Sequence, residues 1–340
     1  MPEPLPPTPG PPPRDPEQRL RDVIVVGGGL AGLSAAIYLG RAMRDTLLID
    51  SGHSMAVWEP DVQNYLGFPE GVSGDALLER GRKQVTHYGA DCRKDDIVAA
   101  RRIPDGFEVE TPTSRYRAKR LLLATGITHV PPDIPEVKPC LGRSMFFCKD
   151  CDAYRVQGKR IAIFGHSDEA VEYALAMLHY SAAIMVVTNG HPPLWSDRHE
   201  DWLAEYEIPL FTGRIAHVEH DDGQLTALGF EGGRRLAVDI LFAVQGDLYH
   251  NRLARMLGAE VDAEGQVRVD LDGLTSVKGL YAAGCLTPAN CQMIVAAGQG
   301  AIAGQAINRD LFDEELSLGT LRRIRCVQMQ AEPTLPELLE

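Results

Sequence analysis

The segment Cys148-Lys149-Asp150-Cys151-Asp152 is where residue type and spacing point most directly to chemistry. Two thiols three positions apart can close a small disulfide, and the thiolate released on reduction can attack a partner's disulfide. Lys149 puts a cation beside them, which favours the thiolate. A zinc centre would need four ligands, and no second Cys-x-x-Cys or His pair supplies the others, so no metal is expected. Inert packing thiols are the other alternative; redox exchange is the favoured reading.

A redox pair needs a source of electrons, and a second motif indicates where one is held. Gly27-Gly28-Gly29-Leu30-Ala31-Gly32 has glycine at every position of G-x-G-x-x-G. Gly27 permits the tight turn, Gly29 lets a pyrophosphate approach the backbone, and Gly32 lets the helix pack on the strand while its first amides face the anion. The flanks fit: a β-branched run at Val23–Val26 precedes the turn, an apolar-periodic helix spans Leu30–Met43, and a second apolar run covers Thr46–Ile49. Asp50 ends that run about 20 residues on, where a carboxylate can accept hydrogen bonds from a ribose. The whole is a βαβ dinucleotide-binding unit rather than a structural glycine turn.

A second unit starts at Arg160, with the run IAIF, a turn from Gly165, a helix over Glu169–Tyr180 and a strand over Ala183–Val187. The proline-dense stretch His129–Pro139 reads as the linker between the units. Residues 1–20, rich in proline, are expected to form a disordered leader. After Leu241–Asn251 the chain runs to GLYAAGC and a helix over Gln292–Leu311, so the first domain is discontinuous. The expected partition is 21–131 with 248–311, then 132–247, then a tail over 312–340 that is helical around Leu316–Arg325. With 340 residues, 44% hydrophobic, the chain can fill two cores of ordinary size. A net charge of −13 argues against nucleic acid as a partner. No apolar stretch of about 18 residues and no signal-peptide pattern is present, so no membrane association and a cytoplasmic location are expected. Only two of the seven cysteines form a Cys-x-x-Cys, which does not describe a disulfide scaffold.

Two more segments, LLLATG (Leu121–Gly126) and GLYAAGCLTPANCQMIVAAGQGAIAGQAI (Gly279–Ile307), complete a pattern that resembles the low-molecular-weight thioredoxin reductases over Arg21–Arg309. The resemblance implies an α/β fold of two Rossmann-like, three-layer domains, FAD as cofactor and a homodimer. It assigns Gly27, Gly29, Gly32 and Asp50 to the FAD diphosphate and ribose, Asn64 and Gln292 to the flavin end, and Ala124 to Gly126 to the domain edge. Cys151 would face the flavin and Cys148 would attack a thioredoxin-like protein. Asp152 would give or take the proton of the leaving thiolate, or else cap a helix. The family's glycine–aspartate at the ribityl chain is here Gly284 and Cys285, and its next arginine is Cys291. These two cysteines are expected to pack as small buried side chains.

The second domain departs further. Where a G-x-G-x-x-A loop is expected the chain reads Gly165-His166-Ser167-Asp168-Glu169-Ala170, with serine at the pyrophosphate position and two acids beside it. The arginines that hold the 2'-phosphate of NADPH would fall near Thr188–His191, and none is there. This is similar to the pyridine-nucleotide-independent branches of the family, ferredoxin-linked or deeply rooted. Arg115, Arg117, Lys119 and Arg120, or Arg322, Arg323 and Arg325, would provide a local basic face for an acidic ferredoxin or simply a solvated charged surface. The expected function is disulfide reduction through FAD and Cys148/Cys151. The alternatives are a flavin dithiol oxidase that uses oxygen, although such enzymes usually carry histidine at the Asp152 position, and a non-catalytic flavin redox sensor.

Overall fold

The computed structural model describes residues 19–321. Its larger sheet is built around the strand Leu20–Val26, which pairs in parallel with Thr46–Asp50 on one side and Arg115–Leu123 on the other. Val23 and Val25 point into one core and Ile24 and Val26 into a second, the two-residue period of a strand buried on both faces. Asp91–Lys94 extends the sheet beyond Thr46–Asp50.

The long strand Arg115–Leu123 divides its pairing. Its first half binds the antiparallel hairpin of Ala99–Ile103 and Gly106–Glu110, while its last residues, Leu121 to Leu123, receive the late strand Leu280–Ala282 in parallel. The helix Met293–Ser317 then returns across the sheet and packs on the helix Leu30–Arg41. Close approach is possible because Gly300 and Gly304 face Ala31 and Ala35; a Cβ on either glycine would run into the opposing backbone carbonyl.

A second sheet is wholly parallel, in the order Leu210–Phe211, Ile184–Val187, Ile161–Phe164, Ile240–Ala243 and Met145–Phe146. On one face the antiparallel strands Ile215–Asp221, Gln224–Phe230 and Arg235–Ala237 cover Ala162 and Phe164; on the other, the helices Asp168–Met177 and Asp197–Glu205 cover Ile161 and Ile163. The two sheets are joined through an antiparallel ribbon of Ile127–His129 with Asp247–Tyr249.

The structure corrects two expectations. The helix expected to stop at Leu311 continues to Ser317, and Gly319, at φ 63°, lies just beyond its end. Leu316 and Ser317 are thus its last residues, not the start of a further helix; Arg322, Arg323, Arg325 and the proline-rich leader to residue 18 lie outside the described residues. Of the two readings of Arg115, Arg117, Lys119 and Arg120, a free basic face does not form, because each side chain is ion-paired. Arg115 pairs with Glu110 at 2.6 Å, Arg117 with Glu108 at 2.8 Å, Lys119 with Asp22 at 2.9 Å and Arg120 with Asp310 at 2.6 Å. Among the described residues no helix is long and apolar enough to cross a membrane.

Candidate active site

The glycine turn joins the strand Leu20–Val26 to the helix Leu30–Arg41, and its three motif glycines have different duties. Gly27 adopts φ 107°, and a side chain there would strike the backbone of Ala124. Gly32 sits behind the turn, where a Cβ would meet the Gly27 carbonyl, so it packs rather than lining the site. Gly29 alone opens outward, with Ser54 Oγ at 3.5 Å as the nearest obstacle. It also caps the helix, whose first turn has no side-chain cap and no acid. The amides of that turn are left for an external anion.

Opposite the turn, Gly126 adopts φ 64° and has nothing within 4 Å of a would-be Cβ. Asp50 ends its strand beside both: its Oδ1 accepts from the amides of Gly28 at 3.1 Å and Gly52 at 3.0 Å, leaving Oδ2 near Arg82 at 3.6 Å. Between these groups lies a cavity of about 460 Å³. Gly27, Gly29, Asp50, Ala124 and Gly126 line its turn end; Asn64, Gly284, Cys285 and Gln292 line it as well. This cradle, open at Gly29 and Gly126 and uncapped at the helix, fits the diphosphate of FAD. The ribityl carboxylate of the family pattern has no counterpart at Cys285.

The cavity also reaches Cys148, Cys151 and Asp152. The two cysteines form a disulfide, with Cα atoms 5.3 Å apart, at the start of the short helix Lys149–Asp152. Gln292 Nε2 lies 3.3 Å from Cys148 Sγ and 3.4 Å from Cys151 Sγ, and Gln292 Oε1 accepts from Asn64 Nδ2 at 2.9 Å. The residues expected from sequence at the cysteine pair and at the flavin end are thus brought together. Lys149 is the exception: its ammonium meets the Asp150 carboxylate at 3.3 Å.

Asp152 is 3% exposed; it stands at the N-cap position of the 3-10 turn Ala153–Val156, but its side chain makes no capping bond there. Burial pushes its carboxyl up to about 6 against the opposing pull of Arg155, which donates to it. Glu59, on the cavity wall, rises to about 7 through burial and the neighbouring Asp152 charge. Arg155 holds this group together, lying 3.9 Å from both Glu59 and Asp61. Sequence reasoning missed Glu59 and Arg155, although Arg155 lies three positions after Asp152, the spacing of neighbours on a helix. It also missed His129, whose ring stacks on Phe147 at 4.7 Å and whose Nδ1 meets Asp247 Oδ1 at 2.5 Å.

A second cavity, of about 520 Å³, adjoins the first; Cys148, Lys149, Tyr173, Cys291 and Gln292 line it, and Cys151 does not. Cys285 and Cys291 depart from the expectation of small buried thiols. They are joined as a disulfide, and both are only partly buried.

Known proteins place this architecture. Thioredoxin reductase of Bacillus subtilis is 28% identical over 325 residues, covering 90% of this chain and 99% of its own. That of Treponema pallidum is 29% identical over 303 residues, covering 84% and 95%. Among solved structures, HlmI superposes with a TM-score of 0.83 at 29% identity, covering 88% of this chain and 95% of its own. A putative thioredoxin reductase of Bacillus anthracis gives 0.80 at 29%, covering 87% and 99%. The profile of the pyridine nucleotide-disulphide oxidoreductases matches residues 21–301. With the glycine turn and the cysteine pair on one cavity, the chain is an FAD-binding disulfide oxidoreductase of thioredoxin-reductase type and belongs to the pyridine nucleotide-disulphide oxidoreductase family.

Proposed function

We propose that the protein carries electrons from FAD to the Cys148–Cys151 disulfide and from there to a thioredoxin-like protein, with a donor other than NADPH feeding the flavin. The observation that carries this reading is the shared cavity, in which Gln292 spans from the flavin end to both sulfurs. FAD, when bound, supplies a two-electron store that exchanges with the disulfide. The protein's own residues do the rest. Gln292 and Asn64 orient the sulfurs. Cys148, which also lines the second cavity, attacks the partner's disulfide, and Cys151 resolves the mixed disulfide. Asp152 holds the proton exchanged with the leaving thiolate.

Independence from NADPH is supported by the turn at Gly165. The helix Asp168–Met177 starts with Asp168 and Glu169 in its first turn, so carboxylates already occupy the positive end of the helix. Asp168 Oδ1 accepts from the Ser196 amide at 2.8 Å and lies 3.0 Å from His199 Nδ1. The Leu194 amide donates to the His166 carbonyl at 2.7 Å, and the His166 and His191 rings stack at 5.0 Å. These bonds tie the segment 191–196 to the turn that would need to receive a pyrophosphate. Ferredoxin is the first donor to try. The resemblance also supports a homodimer and the two-domain partition of 21–131 with 248–311 and 132–247.

The test is anaerobic addition of excess NADPH or NADH while the flavin band is followed, with photoreduction as the control. Full photoreduction without bleaching by either nucleotide is expected; bleaching at catalytic speed would make NADPH the donor. One observation favours a second reading, oxidation of a small dithiol by oxygen: His129, whose Nδ1 meets Asp247, lines the second cavity beside Cys148. Oxygen uptake with a dithiol alone would decide for it.

A further inference from the structure

Cys285 and Cys291 stand where the family pattern has an aspartate and an arginine, and the proposed electron path makes no use of them. Their Cα atoms are 4.9 Å apart and the disulfide closes the short loop between the Gly284 turn and Gln292. Both line the inner cavity with Cys148 and Cys151. Cys148 and Cys291 go further, since each lines the second cavity as well. Cys291 also directly precedes Gln292, the residue whose amide reaches both sulfurs of the other pair. The remaining described cysteines are different: Cys140 is a buried thiol and Cys92 an exposed one, and neither lines these cavities.

A disulfide that only held the loop would gain nothing from opening onto the redox cavity, since access by a thiolate is what makes such a bond exchangeable. We propose that Cys285–Cys291 is a second redox-active disulfide in exchange with Cys148–Cys151, so that the protein stores one electron pair more than the flavin and a single disulfide hold. The inference rests on the proposed passage of electrons through Cys148 and Cys151.

The exchange is balanced. The Cys148 thiolate attacks Cys291 Sγ, the Cys285–Cys291 bond breaks, and Cys285 leaves and takes up a proton. The Cys151 thiolate then attacks Cys148 Sγ, the mixed disulfide breaks, and Cys291 leaves and is protonated. Cys148 and Cys151 are oxidised to their disulfide, Cys285 and Cys291 are reduced to thiols, and two electrons and two protons have moved with no outside reagent.

The experiment uses the FAD-loaded full chain, photoreduced without oxygen, quenched in acid, alkylated and mapped by peptide mass spectrometry. In the unsubstituted protein both pairs are expected to be alkylated. In the C148S/C151S variant, with the flavin equally bleached, Cys285–Cys291 is expected to remain a disulfide. A reductive titration of C285S/C291S should reach full reduction with one electron pair fewer. If Cys285–Cys291 stays closed while Cys148 and Cys151 are alkylated, the second pair is structural and the inference fails alone. Equal opening of Cys285–Cys291 without Cys148 and Cys151 removes the exchange step and overturns the proposal. If Cys148 and Cys151 stay closed beside a bleached flavin, the proposed electron path fails and the inference with it.

Discussion

Gln292 Nε2 lies within 3.4 Å of the sulfurs of Cys148 and Cys151, residues more than 140 positions away in the chain. The contact joins a residue at the start of the last long helix to a redox pair on the other side of the ribbon, so the pair's chemistry depends on where that helix begins. Asn64 donates to Gln292 Oε1, which itself lies 3.5 Å from Cys151 Sγ, so the whole amide, held from Asn64, faces the pair.

Replacing Gln292 by Ala removes a donor that a thiolate would use when the disulfide opens. Hydrogen bonds to charged groups contribute about 1.5–3 kcal/mol. Electron transfer between flavin and disulfide should therefore slow by roughly ten- to a hundredfold, with FAD content unchanged. Rapid-mixing spectroscopy of the flavin band checks this; an unchanged rate would remove Gln292 from the path.

Cys148→Ser should abolish reduction of a thioredoxin-like protein to the limit of detection while leaving the bound flavin photoreducible. The flavin spectrum and an insulin-type disulfide assay read the two properties separately. Loss of FAD from this variant would contradict the assignment of Cys148 to the outer side of the site.

Asp152 and Glu59 give the protein a pH dependence of definite sign. Their folded values, about 6 and about 7, lie above those of the same groups in an unfolded chain, 3.8 and 4.5. The folded state therefore holds more protons between these limits, and stability falls as pH rises from about 4 to about 7. Each unit of raised pKa corresponds to about 1.4 kcal/mol. If Asp152 serves as proton donor, the exchange step should slow as pH rises through about 6, and this inflection should vanish in Asp152→Asn. Chemical denaturation across pH tests the first statement, and the pH profile of the variant tests the second.

Gly300→Ala should destabilise the protein despite a helix-propensity gain of about 1 kcal/mol. The new methyl meets the backbone carbonyl of Ala31, which cannot rotate away as a side chain could. Overpacking costs roughly 1–3 kcal/mol, and here the helix Met293–Ser317 must also shift, displacing Gln292 at its start. Thermal denaturation together with the retained flavin fraction would show both effects; a more stable variant would refute the close packing.

What could be read from the sequence was whatever lies close along the chain. The turn at Gly27, its strand and helix, Asp50 and the cysteine pair are each local patterns, because the period of a strand or helix is written into consecutive residues. Contacts that depend on the return of distant segments were not legible. Nothing near Asp152 announced Glu59, and Cys285 and Cys291 gave no sign of being joined. The extension of the last helix past Leu311 was hidden because charged residues succeed its apolar stripe there. Arg117 illustrates the same limit: the sequence left a basic face and a solvated charged surface both open for it, and its partner, Glu108, lies on the adjacent strand of the hairpin.

The divided pairing of the strand Arg115–Leu123 orders events during synthesis. All the strands of the smaller sheet lie between residues 145 and 243, so they leave the ribosome together and can associate while translation continues. Leu121, Leu122 and Leu123 must wait for Leu280, Tyr281 and Ala282, and until then they form an open apolar edge. The helix that places Gln292 follows later still. The nascent chain thus holds every strand of the smaller sheet while the larger sheet still lacks its last strand.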